Sequence, residues 1–545
     1  MNRASRIRLA LLWLAVLLVY GTGLTHTPPH LHRDEVVIAL QAHSIATTGH
    51  DRDGRFLPLY FKMDDLTERN WFQPQIIYVT ALFLQVLPFT EWSFRVPTIF
   101  VGLLDVLLMY FVARRIFGTD RWALIAAALL AMTPAHFLHS RLAFDFIYPL
   151  PFVLTWLLCL LIFLDRQRPA LLFAATSALG LGFFSYIASV VMMPVYLAFT
   201  ALVLMATRNL SVRTGAVALG GFVWPLVALI PWLATQPTFM FDVMNKYGVG
   251  ARSLAMIGPG VRSFADVVNN LEQRLNFAEM AGRVTLYWSF FDPAFLFLSG
   301  GYTRMTNSTR LVGVFLAPFI VLIPLGLIQM VTAHRTIISV VIALGFFLAP
   351  LAAVMTVLEP YASDRELAVM VFGVLIATYG IERVVTLWWK PPSTSMWRQP
   401  LRVACIAVLA ALPAHFLFSQ FHYFGDYHGR SASYFEWNHR DALEAIVARQ
   451  TGATARPVYL SSGLEKQIAA YWRLSLIKNN RLDLLDHTAY FNSQTVDPAS
   501  IPKGSLIFVT VDDKRLLERV PGGEFREVFQ APEPADPPAF FILEK

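Results

Sequence analysis

Residues 25–40 read THTPPHLHRDEVVIAL. They follow an apolar run and bring His26, His30, His32, Arg33 and the adjacent acids Asp34 and Glu35 together. Three kinds of chemistry fit these residue types: a metal site, a turn that starts a helix, and a base working at a membrane surface. The alternation His30-x-His32-x-Asp34 could ligate a divalent ion such as zinc, but extended spacing in a proline-rich loop is poorly specific, and a polar loop without metal is the stronger reading. Acids at a helix start are also what the helix dipole favours.

Other residues with chemical potential lie further along. Arg141 and Asp145 stand four apart in HSRLAFD. They can shape a substrate site or close a helix end as an i,i+4 salt bridge. Arg304 and Arg365 carry guanidinium forks that suit phosphate oxygens; headgroup contact, or pairing with Asp364 and Glu366, is the plainer alternative. Arg69, beside Glu68, is a weaker candidate of the same kind. The triplet DRD at 51–53 matches an Asp-x-Asp pattern that needs a nucleotide-binding fold, so Asp53-Gly54 reads as a turn. Asp105 is a lone acid in mid-span, and a hydrogen bond to a neighbouring helix is the favoured reading.

The elements that must position these groups are membrane elements. Of the 545 residues, 56% are hydrophobic and 15% charged, and the mean hydropathy is +0.52. A soluble chain of this length would need far more surface charge, whereas many apolar runs here are long enough to cross ~30 Å of hydrocarbon. The formal net charge of +7 comes from arginine clusters between the runs, which orients helices rather than binding nucleic acid. Cys159 and Cys405 lie inside apolar runs, where disulfide or thiolate chemistry is not expected.

The expected spans are about 8–24, 96–113, 121–138, 146–164, 170–187, 189–207, 214–233, 311–330, 336–358, 366–383 and 402–420, the first read as an uncleaved span. The stretch 74–88 is apolar but short for a crossing and suits a helix lying in the interface. Charge supports that choice. If 74–88 does not span, Arg114, Arg115, Arg121, Arg166, Arg168, Arg208, Arg213, Arg335 and Arg383 all fall inside; if it spans, they all fall outside, against the positive-inside rule. The outer face then holds 25–95, 139–145, 234–310, 359–365 and the tail from about 421, and with them Asp34, Glu35, Asp145, Arg141, Arg304 and Arg365. DEVVIALQAHSIATTG reads as a capped surface helix ending at Gly49. The tail 421–545 is more charged, with helix-like pieces near 438–450 and 463–474 alternating with PVYLSS, SLIFVTV and AFFILE, a small α/β domain. The expected architecture is therefore a membrane domain over 1–420, with about eleven transmembrane and two in-plane helices, and a soluble domain over 421–545.

Five stretches carry a family likeness. HRDEVVIALQAHSIATTGHDRDGRFLPLYF, EWSFRVPTIFVGLLDVLLMYFVARRIFG, TPAHFLHSRLAFDFIYPLPF, FFDPAFLFLSGGYTRMTNSTRLVGVFLAPF and ASDRELAVMVFGVLIATYGIERV resemble, in order and spacing over about residues 1–385, the GT-C membrane glycosyltransferases. The branch they resemble is that of the protein O-mannosyltransferases and the lipid A aminoarabinose transferases. The resemblance implies transfer of a sugar from a polyprenyl-phosphate donor to an acceptor hydroxyl, on a lipid, glycan or protein, with inversion, at the periplasmic face of a bacterial inner membrane. It makes Asp34 the base, Glu35 its support, Asp145 a contact to sugar or acceptor, and Arg141, Arg304, Arg365 and Arg69 the phosphate or substrate contacts. Some relatives use a divalent ion and others none.

The chain departs from the pattern at two places. Gly301 and Met305 stand where an acid and a histidine are frequent, and Gln73 replaces a lysine before the proline of the second surface helix, so donor-phosphate contacts are expected to be redistributed. A transporter or flippase for a lipid-linked solute would need several mid-bilayer ionisable groups, where this chain has essentially Asp105. An oligosaccharide ligase or polymerase with a diphosphate-linked donor would share the topology but not the Asp-Glu loop. The sugar, the acceptor and the oligomeric state are not legible in the sequence.

Overall fold

The computed structural model describes residues 3–63, 70–240, 242–243, 277–301, 308–356, 359–389, 398–450, 455–519 and 524–545. By packing they form two units. The first comprises Met1–Thr22, Gln73–Ile76 and Thr98–His422, and the second Gly23–Phe72, Ile77–Pro97 and Tyr423–Lys545.

The first unit is helical. Among the described residues, eight helices are long and apolar enough to cross a membrane: Arg3–Gly21 (α1), Glu91–Phe117, Asp145–Arg166, Ser189–Ala206, Val212–Thr235, Ile337–Met355, Val369–Trp389 and Arg398–Ser431. They coincide with eight of the eleven expected spans. The other three expectations fall on shorter apolar helices. The run 121–138 is two helices, Asp120–Met132 and Pro134–His139, because Thr133 precedes a proline and is extended (ψ 120°). The runs 170–187 and 311–330 are represented by Pro169–Gly182 and Phe319–Ala333. Two glycines let Phe319–Ala333 approach Val369–Trp389 closely. A Cβ at Gly326 would sit 1.9 Å from the Ile376 carbonyl oxygen, and one at Gly380 2.1 Å from that of Leu322, the small-residue contact that membrane helices use in place of a hydrophobic driving force.

The second unit carries the helix Arg33–Thr48 (α2) and most of Pro74–Leu84 (α3). α3 has eleven residues, about 16 Å at 1.5 Å per residue, too short to cross. α2 is started by His32, which is extended (φ −69°, ψ 151°), and ended by left-handed Gly49 (φ 72°), whose N–H reaches Ile45 O. Between them the chain turns at 51–55. Asp51 Oδ1 accepts the backbone N–H groups of Asp53 and Arg55, and its Oδ2 accepts Arg55 Nε at 2.7 Å. The DRD acids thus shape a turn that ends at left-handed Gly54 (φ 81°). Phe61–Lys62 (β1) then pairs antiparallel with Trp71–Phe72 (β2).

The tail builds a five-stranded sheet from Val458–Ser461 (β3), Thr488–Phe491 (β4), Leu506–Thr510 (β5), Arg526–Gln530 (β6) and Phe540–Glu544 (β7), in the order β4-β3-β5-β7-β6. β3 is parallel to β4 and β5, while β7 is antiparallel to β5 and β6. One core cluster of the sheet is Phe491, Ile501, Ile507, Val509, Leu517, Phe541 and Leu543. The helices His439–Ala448 and Glu465–Lys478 pack together, and α2 packs on the latter. Residues 23–72 and 77–97 therefore group with the tail.

Candidate functional site

The stretch that opens α2 is organised by one arginine. Arg95, in the first turns of Glu91–Phe117, is buried and has every guanidinium N–H occupied. Nε donates to Glu35 Oε1 at 3.0 Å, Nη1 to the carbonyls of Leu24 (3.1 Å) and Pro28 (3.0 Å), and Nη2 to His30 O (2.7 Å) and Glu35 Oε2 (3.0 Å). A guanidinium has five donors in a fixed fork, so it can tie a carboxylate and three carbonyls at once. Glu35 Oε2 also accepts the backbone N–H of His32 (3.0 Å), and His32 Nδ1 accepts that of Asp34 (3.1 Å). This is a capping box with histidine as the cap. Glu35 is fully buried.

Asp34, the next residue back, has the opposite environment. Its side chain is 33% exposed, and its Oδ2 lies 3.9 Å from His32 Nδ1. Two neighbouring acids are thus separated into one locked in a buried ion pair and one partly open to solvent. Tyr471 Oη donates to Leu31 O (2.7 Å) and to Glu436 Oε2 (3.0 Å), and Glu436 Oε2 also accepts Arg33 N–H (3.1 Å). The first turn of α2 is held from the tail as well as by Arg95.

Neither His30 nor His32 stands in a metal constellation. His30 Nε2 is 2.8 Å from Glu533 Oε2, His32 caps α2, and no group of three His, Cys, Asp or Glu able to hold a metal ion occurs among the described residues.

In the first unit Arg141 is fully buried. It donates through Nη1 to Tyr20 O and to Thr22 O (2.7 Å), and its guanidinium lies over the Phe137 ring at 5.2 Å. Cations suit the free carbonyls at a helix C-terminus, and these belong to the end of α1. Asp145 opens the 3-10 turn Asp145–Ile147 that leads into Pro149–Arg166. Arg365 lies with Nε 3.4 Å from Asp364 Oδ2 and its guanidinium 5.3 Å over Tyr186, whose hydroxyl donates to Asp364 Oδ2 (3.3 Å). Gln73 is buried, and its Oε1 has no hydrogen bond. Asp105 is buried with Oδ2 3.5 Å from His136 Nε2. Arg69, Arg304 and Met305 lie outside the described residues. Sequence reasoning passed over Arg95, Tyr186 and Tyr471, and named Asp364 only as the plainer partner of Arg365, beside which it stands; the readable signal was Arg95, a charged residue at the mouth of an apolar span.

Comparison with known proteins adds the fold. The sequence model of a family described as dolichyl-phosphate-mannose-protein mannosyltransferase matches residues 73–234. No curated protein sequence matches the chain. Among solved structures, ArnT from Cupriavidus metallidurans bound to undecaprenyl phosphate is similar at 13% identity and TM-score 0.57, over 98% of this chain and 97% of that one. Its apo state is similar at 15% identity, with the same TM-score and coverage. The likeness extends end to end, tail domain included, and gives this chain the GT-C fold of an integral membrane protein.

Proposed function

We propose that the protein is a GT-C glycosyltransferase that moves a sugar from a polyprenyl-phosphate donor to an acceptor hydroxyl at the outer, periplasmic face of a bacterial inner membrane, with inversion. The observation that carries this reading is the split pair at the start of α2: Glu35 immobilised by Arg95, and Asp34 held beside it with an exposed carboxylate. The match to a mannosyltransferase family over 73–234 and the fold shared with a structure that holds undecaprenyl phosphate support it.

The chemistry asks little of the protein. The acceptor oxygen attacks C1 of the sugar and the bond from C1 to the phosphate oxygen breaks. The polyprenyl phosphate leaves as an anion without needing a proton. What the enzyme supplies is a base for the acceptor hydroxyl and cations for the departing charge. Asp34 takes the hydroxyl proton. Glu35 and Arg95 are positioning residues that fix the backbone of Asp34. Arg365 supplies a guanidinium to phosphate, and Asp145 contacts sugar or acceptor. Arg141, whose Nη1 is given to the carbonyls of Tyr20 and Thr22, acts by shaping the end of α1. Arg304, Arg69 and Gln73 complete the proposed donor contacts.

Reconstitution with a panel of polyprenyl-phosphate sugars and lipid, glycan and peptide acceptors tests the reading. Wild type transfers from at least one donor, and Asp34→Asn retains folding and donor binding while losing transfer. Turnover surviving in Asp34→Asn would remove Asp34 as the base.

A further inference from the structure

The tail carries an open cleft of about 560 Å³ that the proposed transfer chemistry does not use. It lies where β5 ends at Thr510 and the helix Val511–Leu517 begins. In the order β4-β3-β5-β7-β6 the chain leaves β3 toward β4 on one side and then crosses to β5 on the other. The cleft itself opens one strand further along, at the carboxyl end of β5 beside the start of β7, where Thr510 pairs with Phe540.

The walls have a definite chemistry. Glu436, Asp512 and Asp536 bring carboxylates, and Trp437 and Phe540 bring aromatic surface. Glu436 and Trp437 both hold left-handed backbone (φ 59° and 63°), a conformation that costs non-glycine residues and persists only where the surroundings enforce it. His439 also lines the cleft and is 1% exposed. Tyr471 stacks on its ring at 4.2 Å and 7°, with Phe540 at 4.3 Å. Neither ring nitrogen makes a hydrogen bond within geometric limits among the described residues, although the backbones of Trp437 and Glu436 lie close enough to act on the ring. A buried donor and acceptor left unmade are costly, and a ligand that supplies the partners recovers that cost. Burial pushes the imidazole down to about 3, so it is neutral at physiological pH and can donate at one nitrogen while accepting at the other.

Three carboxylates disfavour an anionic ligand, and an acyl chain offers no hydrogen-bond donor to any of them. A polyhydroxylated ring satisfies every part: carboxylates accept from hydroxyls, indole covers the apolar face of a pyranose, and the neutral imidazole meets one more hydroxyl. We propose that this cleft binds a sugar ring of an acceptor glycan. Its use as an acceptor subsite rests on the transferase reading; its capacity to bind sugar does not. Glu436 links the two places, because the same carboxylate at the cleft accepts the backbone N–H of Arg33 at 3.1 Å, the residue before Asp34.

The test uses the full chain in lipid nanodiscs free of sugar-headed detergent, with maltotetraose and chitotetraose as probes and saturation-transfer NMR as readout. At least one tetraose binds wild type and binds Asp34→Asn equally. Trp437→Ala weakens binding about tenfold, and so does Asp512→Asn/Asp536→Asn, which changes exposed residues and keeps the fold. Absence of binding by both probes, or equal binding by wild type and the double variant, overturns the inference and leaves the transferase reading untouched. Binding that depends on the cleft, in a protein that turns over no polyprenyl-phosphate sugar, sustains the cleft and rejects the transferase.

Discussion

Glu35 and Asp105 are both fully buried acids, and their surroundings are opposite. Glu35 takes two hydrogen bonds from Arg95 and one from the His32 backbone. Neither oxygen of Asp105 has a hydrogen bond; His136 Nε2 stands 3.5 Å away, and its Nδ1 lies 2.7 Å from Tyr20 Oη. The first acid organises a backbone, since its partner also ties down three carbonyls of the loop before α2. The second stands beside the His136 ring and makes no hydrogen bond to the described residues. Burial by itself therefore does not rank these acids; the number of groups each one holds in place does. Asp34, one-third exposed beside the locked Glu35, is the group to which the proposed function assigns the base.

The contrast can be broken in four places. Asp34→Asn carries the largest expected effect, a ~10²–10⁴-fold loss of turnover with thermal unfolding unchanged. A parallel fall in unfolding temperature would mean that Asp34 belongs to the structural network instead. Arg95→Met comes next, leaving Glu35 buried without its counter-charge and costing about 3–5 kcal/mol, read as a lowered unfolding temperature in nanodiscs. Replacing both partners, Arg95→Met with Glu35→Leu, recovers most of that loss, because a buried pair exchanged for apolar groups is often close to neutral. A double variant as unstable as the single one would show that the three carbonyls, not the carboxylate, are what Arg95 supports. Arg365→Lys keeps the charge and loses the planar fork, so donor KM rises about tenfold while kcat changes little. Asp105→Asn has the smallest effect, below about 1 kcal/mol in stability; a large loss there would place Asp105 among the working residues.

Much of this was legible locally. The eight long helices match apolar runs, α3 is as short as its proline-bounded segment implied, and α2 ends at Gly49 because only a residue tolerant of positive φ closes a helix that way. In the tail β3, β5 and β7 were readable as apolar runs that pair at the middle of the sheet. The edge strands β4 and β6 were not, since a strand with one free edge carries mixed polarity and leaves a weak pattern. Three spans proved shorter than their hydropathy, at Thr133-Pro134 because a residue before proline leaves the helix.

What the sequence determined on its own were features fixed within a few residues: hydrophobic length, charge bias across the spans, caps, and the adjacency of Asp34 and Glu35. What tertiary structure decided was which acid is locked and which is open. That choice depends on Arg95, sixty positions from Glu35, and on Glu436 and Tyr471, which lie hundreds of residues from α2. Hydrogen-bond satisfaction is a property of groups brought together in space, and neither periodicity nor spacing along the chain encodes which distant donor will arrive.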